Sequence, residues 1–186
     1  MRIVGGEFRG RPLATPKSDA IRPTTDRTRE SLFNILSHAY GEALDGTRVL
    51  DLFAGTGAVG LEALSRGARA ALFVEQSVEG RGLLHSNIES LGVIGRAKIF
   101  RRDATALGGI GTMEPFHFVF ADPPYGAGLG ERALDAAARG GWLVDGALAI
   151  LEERADIQPA AVDGFEPLEV RAFGDTRMHF YRYRPG

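Results

Sequence analysis

The chain has 186 residues, 44% hydrophobic and 25% charged, with a formal net charge of −2. That is the composition of one globular domain with a sizeable core. It holds no cysteine, which excludes disulfides and thiolate metal sites, and no apolar run approaches the ~18 residues of a membrane span.

Residues 1–20 carry short Gly-broken segments, Arg2-Ile3-Val4-Gly5-Gly6 and Phe8-Arg9-Gly10-Arg11-Pro12-Leu13, and suggest a small β-hairpin. This start is strand-like rather than an apolar leader, so a cytoplasmic protein is expected. Residues 1–24 are assigned as a basic hairpin arm and residues 25–186 as a single globular domain. Thr24 or Thr25 can cap the helix that follows, whose apolar face is marked by Leu32, Ile35, Leu36 and Ala39. Beyond Gly46 strands alternate with helices: strand 48–53, helix 58–66, strand 70–75, helix 78–91, strands 97–102 and 117–121, helix 129–139, strand 147–152. The Gly-rich segment 104–114 has no assignable pattern. Two strand-like runs, 168–173 and 178–183, flank Gly174-Asp175-Thr176, a hairpin turn. Alternation predicts an α/β fold, a mostly parallel sheet with helices on both faces and a closing antiparallel hairpin.

Charge is uneven along the chain. Residues 1–34 hold seven basic and four acidic side chains, net +3, and the remainder is net −5. A basic start on an acidic body suggests a local phosphate-binding patch. Arg9, Arg11, Lys17, Arg22 and Arg27 are its candidate residues. The four histidines (His38, His85, His117, His179) are scattered and read as structural or surface residues, so no metal is expected.

The strand 48–53 runs into Ala54-Gly55-Thr56-Gly57-Ala58-Val59-Gly60 and then a helix. Gly55 and Gly57 let the backbone turn sharply and approach a ligand, and with Gly60 they satisfy the spacing of a dinucleotide site. Asp51 favours S-adenosylmethionine over NAD. A carboxylate there can face the ligand's ammonium, whereas it repels a pyrophosphate. The next strand ends in Glu75, placed to accept from both ribose hydroxyls. The one after ends in Asp103-Ala104, where the carboxylate and the Ala104 amide can meet an adenine edge. A fourth apolar strand ends in Asp122-Pro123-Pro124-Tyr125. Two prolines cannot continue a central strand, but they hold a rigid loop with a carboxylate beside an aromatic ring. That suits a flat, amino-bearing base: Asp122 and a loop carbonyl accept from its NH2, and Tyr125 stacks on its face. Four acidic strand ends at one edge of a parallel sheet make a ligand crevice. Inside a nucleic acid, such a base must be unpaired or flipped out.

Together the Gly5-Gly6 and Arg9-Gly10-Arg11 start, the block Arg22-Pro23-Thr24-Thr25-Asp26-Arg27 through Phe33-Asn34, the Asp51–Gly60 loop and Asp122–Tyr125 resemble the RsmD family of 16S ribosomal RNA guanine-N2 methyltransferases. The resemblance covers essentially the whole chain. It implies a class I S-adenosylmethionine-dependent methyltransferase fold, Rossmann-like with seven strands. It also implies S-adenosyl-L-methionine as cofactor, and as partner 16S rRNA in a small-subunit assembly intermediate. Asp51, Gly55, Gly57, Glu75 and Asp103 match the cofactor positions, and Ala54, Thr56 and Ala104 beside them are further cofactor-binding candidates. Asp122, Pro123, Pro124 and Tyr125 match the catalytic loop. Rival readings are an amino-methyltransferase acting on DNA adenine or a protein amide, a non-catalytic cofactor-binding RNA assembly factor, and an NAD oxidoreductase.

Overall fold

The computed structural model describes residues 1–41 and 44–186. In chain order its main elements are α1 (Asp26–Ala39), β1 (Arg48–Leu52), α2 (Ala58–Ser65), β2 (Ala70–Val74), α3 (Val78–Leu91), β3 (Ala97–Phe100), β4 (Phe116–Ala121), α4 (Leu129–Arg139), β5 (Leu143–Arg154), β6 (Phe165–Phe173) and β7 (Thr176–Tyr183). The strands form one sheet in the order β3-β2-β1-β4-β5-β7-β6. From β3 to β5 every pairing is parallel, and β7 runs antiparallel to both β5 and β6. The sheet order reverses at β1 and β4, a topological switch point that opens a crevice beyond the strand ends.

Central strands are buried on both faces, so they are apolar throughout. Alternate residues serve opposite layers. Val49, Phe73, Phe118, Phe120, Leu148, Ile150 and Phe180 pack beneath α1, α2 and α3. Leu50, Leu52, Leu72, Val74, Val119, Ala121 and Leu151 pack against α4. Trp142 is fully buried in that second layer. Its indole N–H donates to the Gly108 carbonyl at 2.8 Å, and its ring packs edge-on to Phe100 and nearly parallel to Phe116. Trp142 thereby tethers the Gly-rich segment 104–114, which forms a short 3₁₀ turn at Ala104–Ala106 and then loop. That turn packs on α4.

Element boundaries differ from expectation where backbone geometry overrides pattern. β5 starts at Leu143, four residues before the expected 147, because a register irregularity opposite Phe116–Phe118 lets Asp145 and Gly146 join the strand. β6 starts at Phe165 and includes Pro167, tolerated because this is an edge strand with a register shift beside it. β3 stops at Phe100. In α1 the apolar face is rotated. Thr25 is the cap, accepting from the Thr28 amide, and the buried residues are Arg29, Leu32, Phe33 and Leu36, while Ala39 is exposed. No helix among the described residues is long and apolar enough to cross a membrane.

The N-terminal hairpin is reduced to a single antiparallel bridge, Arg2 to Pro12, with flanking bonds from the Ile3 amide to Arg11 O and from the Gly10 amide to Ile3 O. Several of its further contacts go to α2. Ile3 and Leu13 join the core beneath α1 and α2. The Val4 and Gly5 amides donate to the Glu62 carboxylate, each at 3.0 Å, and the Phe8 amide donates to Ser65 Oγ. A Cβ on Gly6 would lie 2.0 Å from the Ser65 carbonyl oxygen, and its φ is +78°, so only glycine fits this crossing.

Glu62 and Arg29 form an ion pair at 3.0 Å with both side chains fully buried. Removing one partner from such a pair costs about 3–5 kcal/mol, because the other charge stays behind. Arg29→Met is therefore expected to lower unfolding free energy by about 3 kcal/mol, read as a shift in urea midpoint. Adding Glu62→Gln to that variant should recover part of the loss.

Candidate active site

The crevice at the carboxyl ends of β1, β2 and β4 holds a cavity of about 540 Å³. Its floor is the turn from Phe53 to Thr56, its sides are Glu75–Ser77 and Asp122–Tyr125, and Ile21, Arg22 and Pro23 of the N-terminal segment line it from another side. A cavity of this size suits a nucleoside-sized ligand.

The turn is built by backbone strain and by two carboxylates. Phe53 has φ +56°, left-handed and non-glycine, which turns the chain out of β1 within one residue. The Gly55 amide then donates to Glu75 Oε1 at 2.8 Å. Glu75 Oε2 accepts from the Ser77 amide and hydroxyl. A carboxylate has about four acceptor sites, so Glu75 retains capacity towards the cavity it lines. Asp51, almost fully buried, accepts from the Gly60 amide at 3.1 Å. Burial pushes its carboxyl well above the usual range, and the Gly60 hydrogen bond opposes that shift. Gly57 does not face the cavity. A Cβ there would stand 2.3 Å from Leu84 Cδ2, and one on Gly60 would stand 2.4 Å from Phe73 Cε1. These two glycines let α2 sit tightly on α3 and β2, whereas Gly55 borders the cavity near Ile21.

On the other side, β4 delivers Asp122 with Pro123, Pro124 and Tyr125 into the cavity wall. The Tyr125 hydroxyl lies 2.8 Å from Glu152 Oε2 and 3.2 Å from Asp122 Oδ1. Glu153 accepts from the Gly126 amide at 3.2 Å. The tip of β5 therefore clamps the Pro-Pro loop at two successive residues. Desolvation, and next the Glu152 charge, push Asp122 well above the usual carboxylate range, while Arg22 draws it down. Burial also raises Glu152, again against Arg22. The Arg22 guanidinium lies over the Tyr125 ring, 4.2 Å from its centroid.

The remaining sequence candidates are dispersed. Ala104 and Arg102 line the cavity. Asp103 is exposed and caps the following 3₁₀ turn, its Oδ1 accepting from the Thr105 amide and hydroxyl. Those bonds hold its carboxyl below the usual range, leaving Oδ2 for any ligand. Of the five basic candidates only Arg22 lines the cavity. Arg9, Arg11, Lys17 and Arg27 are exposed on the surface, and Arg11 donates to the Ser90 carbonyl at the end of α3.

A family model described as "Conserved hypothetical protein 95" matches residues 1–182. The chain is 41% identical over 157 residues to ribosomal RNA small subunit methyltransferase D of Escherichia coli K12, spanning 84% of this chain and 76% of that one. The chain belongs to the RsmD family. The Haemophilus influenzae protein of the same name is 30% identical over 184 residues, covering 98% of this chain and 93% of that one. The solved structure of the Escherichia coli protein yhhF superposes with a TM-score of 0.83 at 34% identity, covering 100% and 99% of the two chains. The fold extends further. Magnesium protoporphyrin IX methyltransferase from Synechocystis, solved with bound S-adenosylmethionine, aligns at TM-score 0.62 and 18% identity over 84% of this chain and 78% of that one. The sheet order and the closing antiparallel hairpin are those of the class I methyltransferases.

Within this RsmD-family fold, sequence reasoning missed Glu152, Glu153, Arg29 and Glu62. The first pair carried a readable signal: Ile150-Leu151-Glu152-Glu153 is a fifth apolar strand ending in acid. The second pair carried none, because a buried arginine and glutamate 33 residues apart look like any surface charges in sequence. The Glu75 clamp has a direct consequence. Glu75→Ala should cost about 1–3 kcal/mol by stranding the Gly55 amide, and amide hydrogen exchange at Gly55 should accelerate relative to that in β1.

Proposed function

We propose that the chain transfers the methyl group of S-adenosyl-L-methionine to the exocyclic N2 amino group of a guanine in small-subunit ribosomal RNA, within a partly assembled particle. The observation that carries this reading is one continuous cavity with Asp51 and Glu75 on one side and the Asp122–Tyr125 loop on the other. The methyltransferase names of its RsmD-family relatives support it.

The residues present suit the cofactor. Glu75 has spare acceptor capacity for ribose hydroxyls, and Asp51 offers an acidic, buried partner for an ammonium group. Ala54, Gly55 and Thr56 present backbone along the cavity floor, and Ala104 lies at the adenine end beside Asp103. When bound, the sulfonium supplies an already activated methyl group, so the protein's task is placement of the acceptor. The guanine N2 lone pair is delocalised into the ring and is a weak nucleophile. Hydrogen bonds from N2 to Asp122 and to the Pro123 carbonyl favour a more pyramidal nitrogen and stabilise its developing positive charge. Asp122 is the first acceptor for the proton released. Tyr125 holds the base by stacking, worth about 1–3 kcal/mol. Since Arg22 covers one face of that ring, the base takes the free face or displaces the guanidinium. Arg9, Arg11, Lys17 and Arg27 hold phosphates outside the cavity.

The direct test is transfer of labelled methyl to small-subunit particles, to naked small-subunit RNA and to duplex DNA, with nucleoside analysis. N2-methylguanosine from RNA is the expected product, and label in DNA adenine would overturn the substrate assignment. Asp122→Ala should bind S-adenosylhomocysteine as wild type does and lose at least about 100-fold in kcat. Replacing Arg9 and Arg11 together with alanine should weaken RNA binding and reduce the slope of log K against log salt by about 1.4.

A further inference from the structure

We propose that Glu152 is a positioning residue of the methyl-transfer site: it fixes the Tyr125 ring through the phenol hydroxyl and, by its own charge, makes Asp122 a stronger proton acceptor. The inference rests on the methyltransferase reading above and adds a residue to it.

Strand register carries the argument. Ala121 of β4 pairs with Leu151 of β5, which puts Glu152 level with Asp122. Phe118 and Phe120 share a sheet face with Leu148 and Ile150, so by the two-residue period Asp122 and Glu152 project from that same face. Asp51 also lies on it, reaching Gly60 of α2. Glu152 is 6% exposed. Its Oε2 takes the Tyr125 hydroxyl at 2.8 Å, and its Oε1 is buried with no hydrogen-bond partner. A buried carboxylate with an unsatisfied oxygen is expensive, and a packing role alone is served better by glutamine or methionine. The charge itself is what the site uses.

Charged groups from several elements surround the pair. Arg22 of the N-terminal segment opposes both charges, while Asp51 of β1 and Glu153 of β5 add to that on Asp122. The side chain of Thr176 of β7 pulls Glu152 down by hydrogen bonding, and its hydroxyl is also within reach of the Phe173 carbonyl. Glu153 points to the opposite face, where its charge acts on His179.

In the transfer step the N2 lone pair forms the new carbon–nitrogen bond. The methyl–sulfur bond breaks with its electron pair remaining on sulfur, and one N2 proton passes to the Asp122 carboxylate. A neighbouring negative charge favours that last transfer, because like charges resist sharing a site unprotonated. The Tyr125 hydroxyl, held between the two carboxylates, keeps the ring that stacks the base in a fixed relation to the oxygen that takes its proton.

The test is Glu152→Gln, whose amide carbonyl still accepts from Tyr125 but carries no charge. Single-turnover methylation with saturating S-adenosylmethionine is followed against pH. The acid limb, set by protonation of Asp122, should move about one pH unit lower. The plateau rate should fall roughly tenfold, with half-saturation by RNA within about twofold of wild type. Glu152→Asp should restore much of the plateau. An acid limb that stays in place in folded Glu152→Gln overturns the proposal. A second measurement needs no turnover. In carboxyl-carbon NMR, Glu152 should titrate at lower pH in Asp122→Asn than in wild type, and an unchanged titration also overturns it. Failure of the methyltransferase reading would look different: wild-type protein that methylates no nucleic acid while the Asp122–Glu152 coupling persists.

Discussion

One buried carboxylate organises this molecule. Glu62, on the second turn of α2, accepts from the Val4 and Gly5 amides, from Arg29 Nε of α1 and from Arg66 Nε one turn along its own helix. Arg29 in turn donates to the carbonyls of Arg2 and Thr24. Two fully buried side chains thus tie the first strand-like segment, the start of α1 and the helix after the glycine turn into one unit. The desolvation of a carboxylate and a guanidinium is offset only if each polar atom finds a partner, and here nearly every one does. Because the anchors are backbone groups, the path of residues 1–24 is dictated by them rather than by a regular hairpin ladder.

That path brings the N-terminal segment to the cavity. Asn87 of α3 accepts from the Ala14 amide and donates to the Thr56 carbonyl, so the segment is bonded through one amide to the turn that floors the crevice. Further along, Ile21 and Arg22 reach the cavity wall. The same basic segment that offers Arg9 and Arg11 to solvent therefore also sets Arg22, itself exposed, against the cavity wall. The exposed arginines at residues 9 and 11 and the cavity wall at residue 22 are thus joined by one tethered stretch of chain.

The sheet supplies the other half of the site by counting. Parallel strands of matched register bring their carboxyl ends to one edge of the sheet. Alternate residues share a face, and acids at the ends of β1, β4 and β5 converge as Asp51, Asp122 and Glu152. Concentrating carboxylates in a poorly solvated crevice raises their proton affinity by burial first and by mutual repulsion second. Arg22 draws down the proton affinity of both Asp122 and Glu152. The Pro-Pro loop keeps this geometry because prolines restrict it and because Glu152 and Glu153 clamp its far end.

The sequence by itself determined the fold class, the order of alternating strands and helices, the capped start of α1 and the acidic strand tips. These are local signals: a period of two or 3.6, a proline, a glycine turn, a cap. The closing hairpin and the strand carrying Asp122 were legible for the same reason. What only the tertiary structure decided is where side chains far apart in sequence meet. Gly57 reads as a ligand-facing glycine and Gly60 as part of the same spacing, yet they pack against Leu84 and Phe73. Asp103 reads as a strand-end ligand, yet it caps a turn. Arg22 reads as a phosphate contact, yet it lies over Tyr125. Arg29 and Glu62 gave no local sign of burial. Burial of a charge, and the partner that makes it tolerable, depend on register and on close approach between distant segments, and a one-dimensional pattern does not carry those distances.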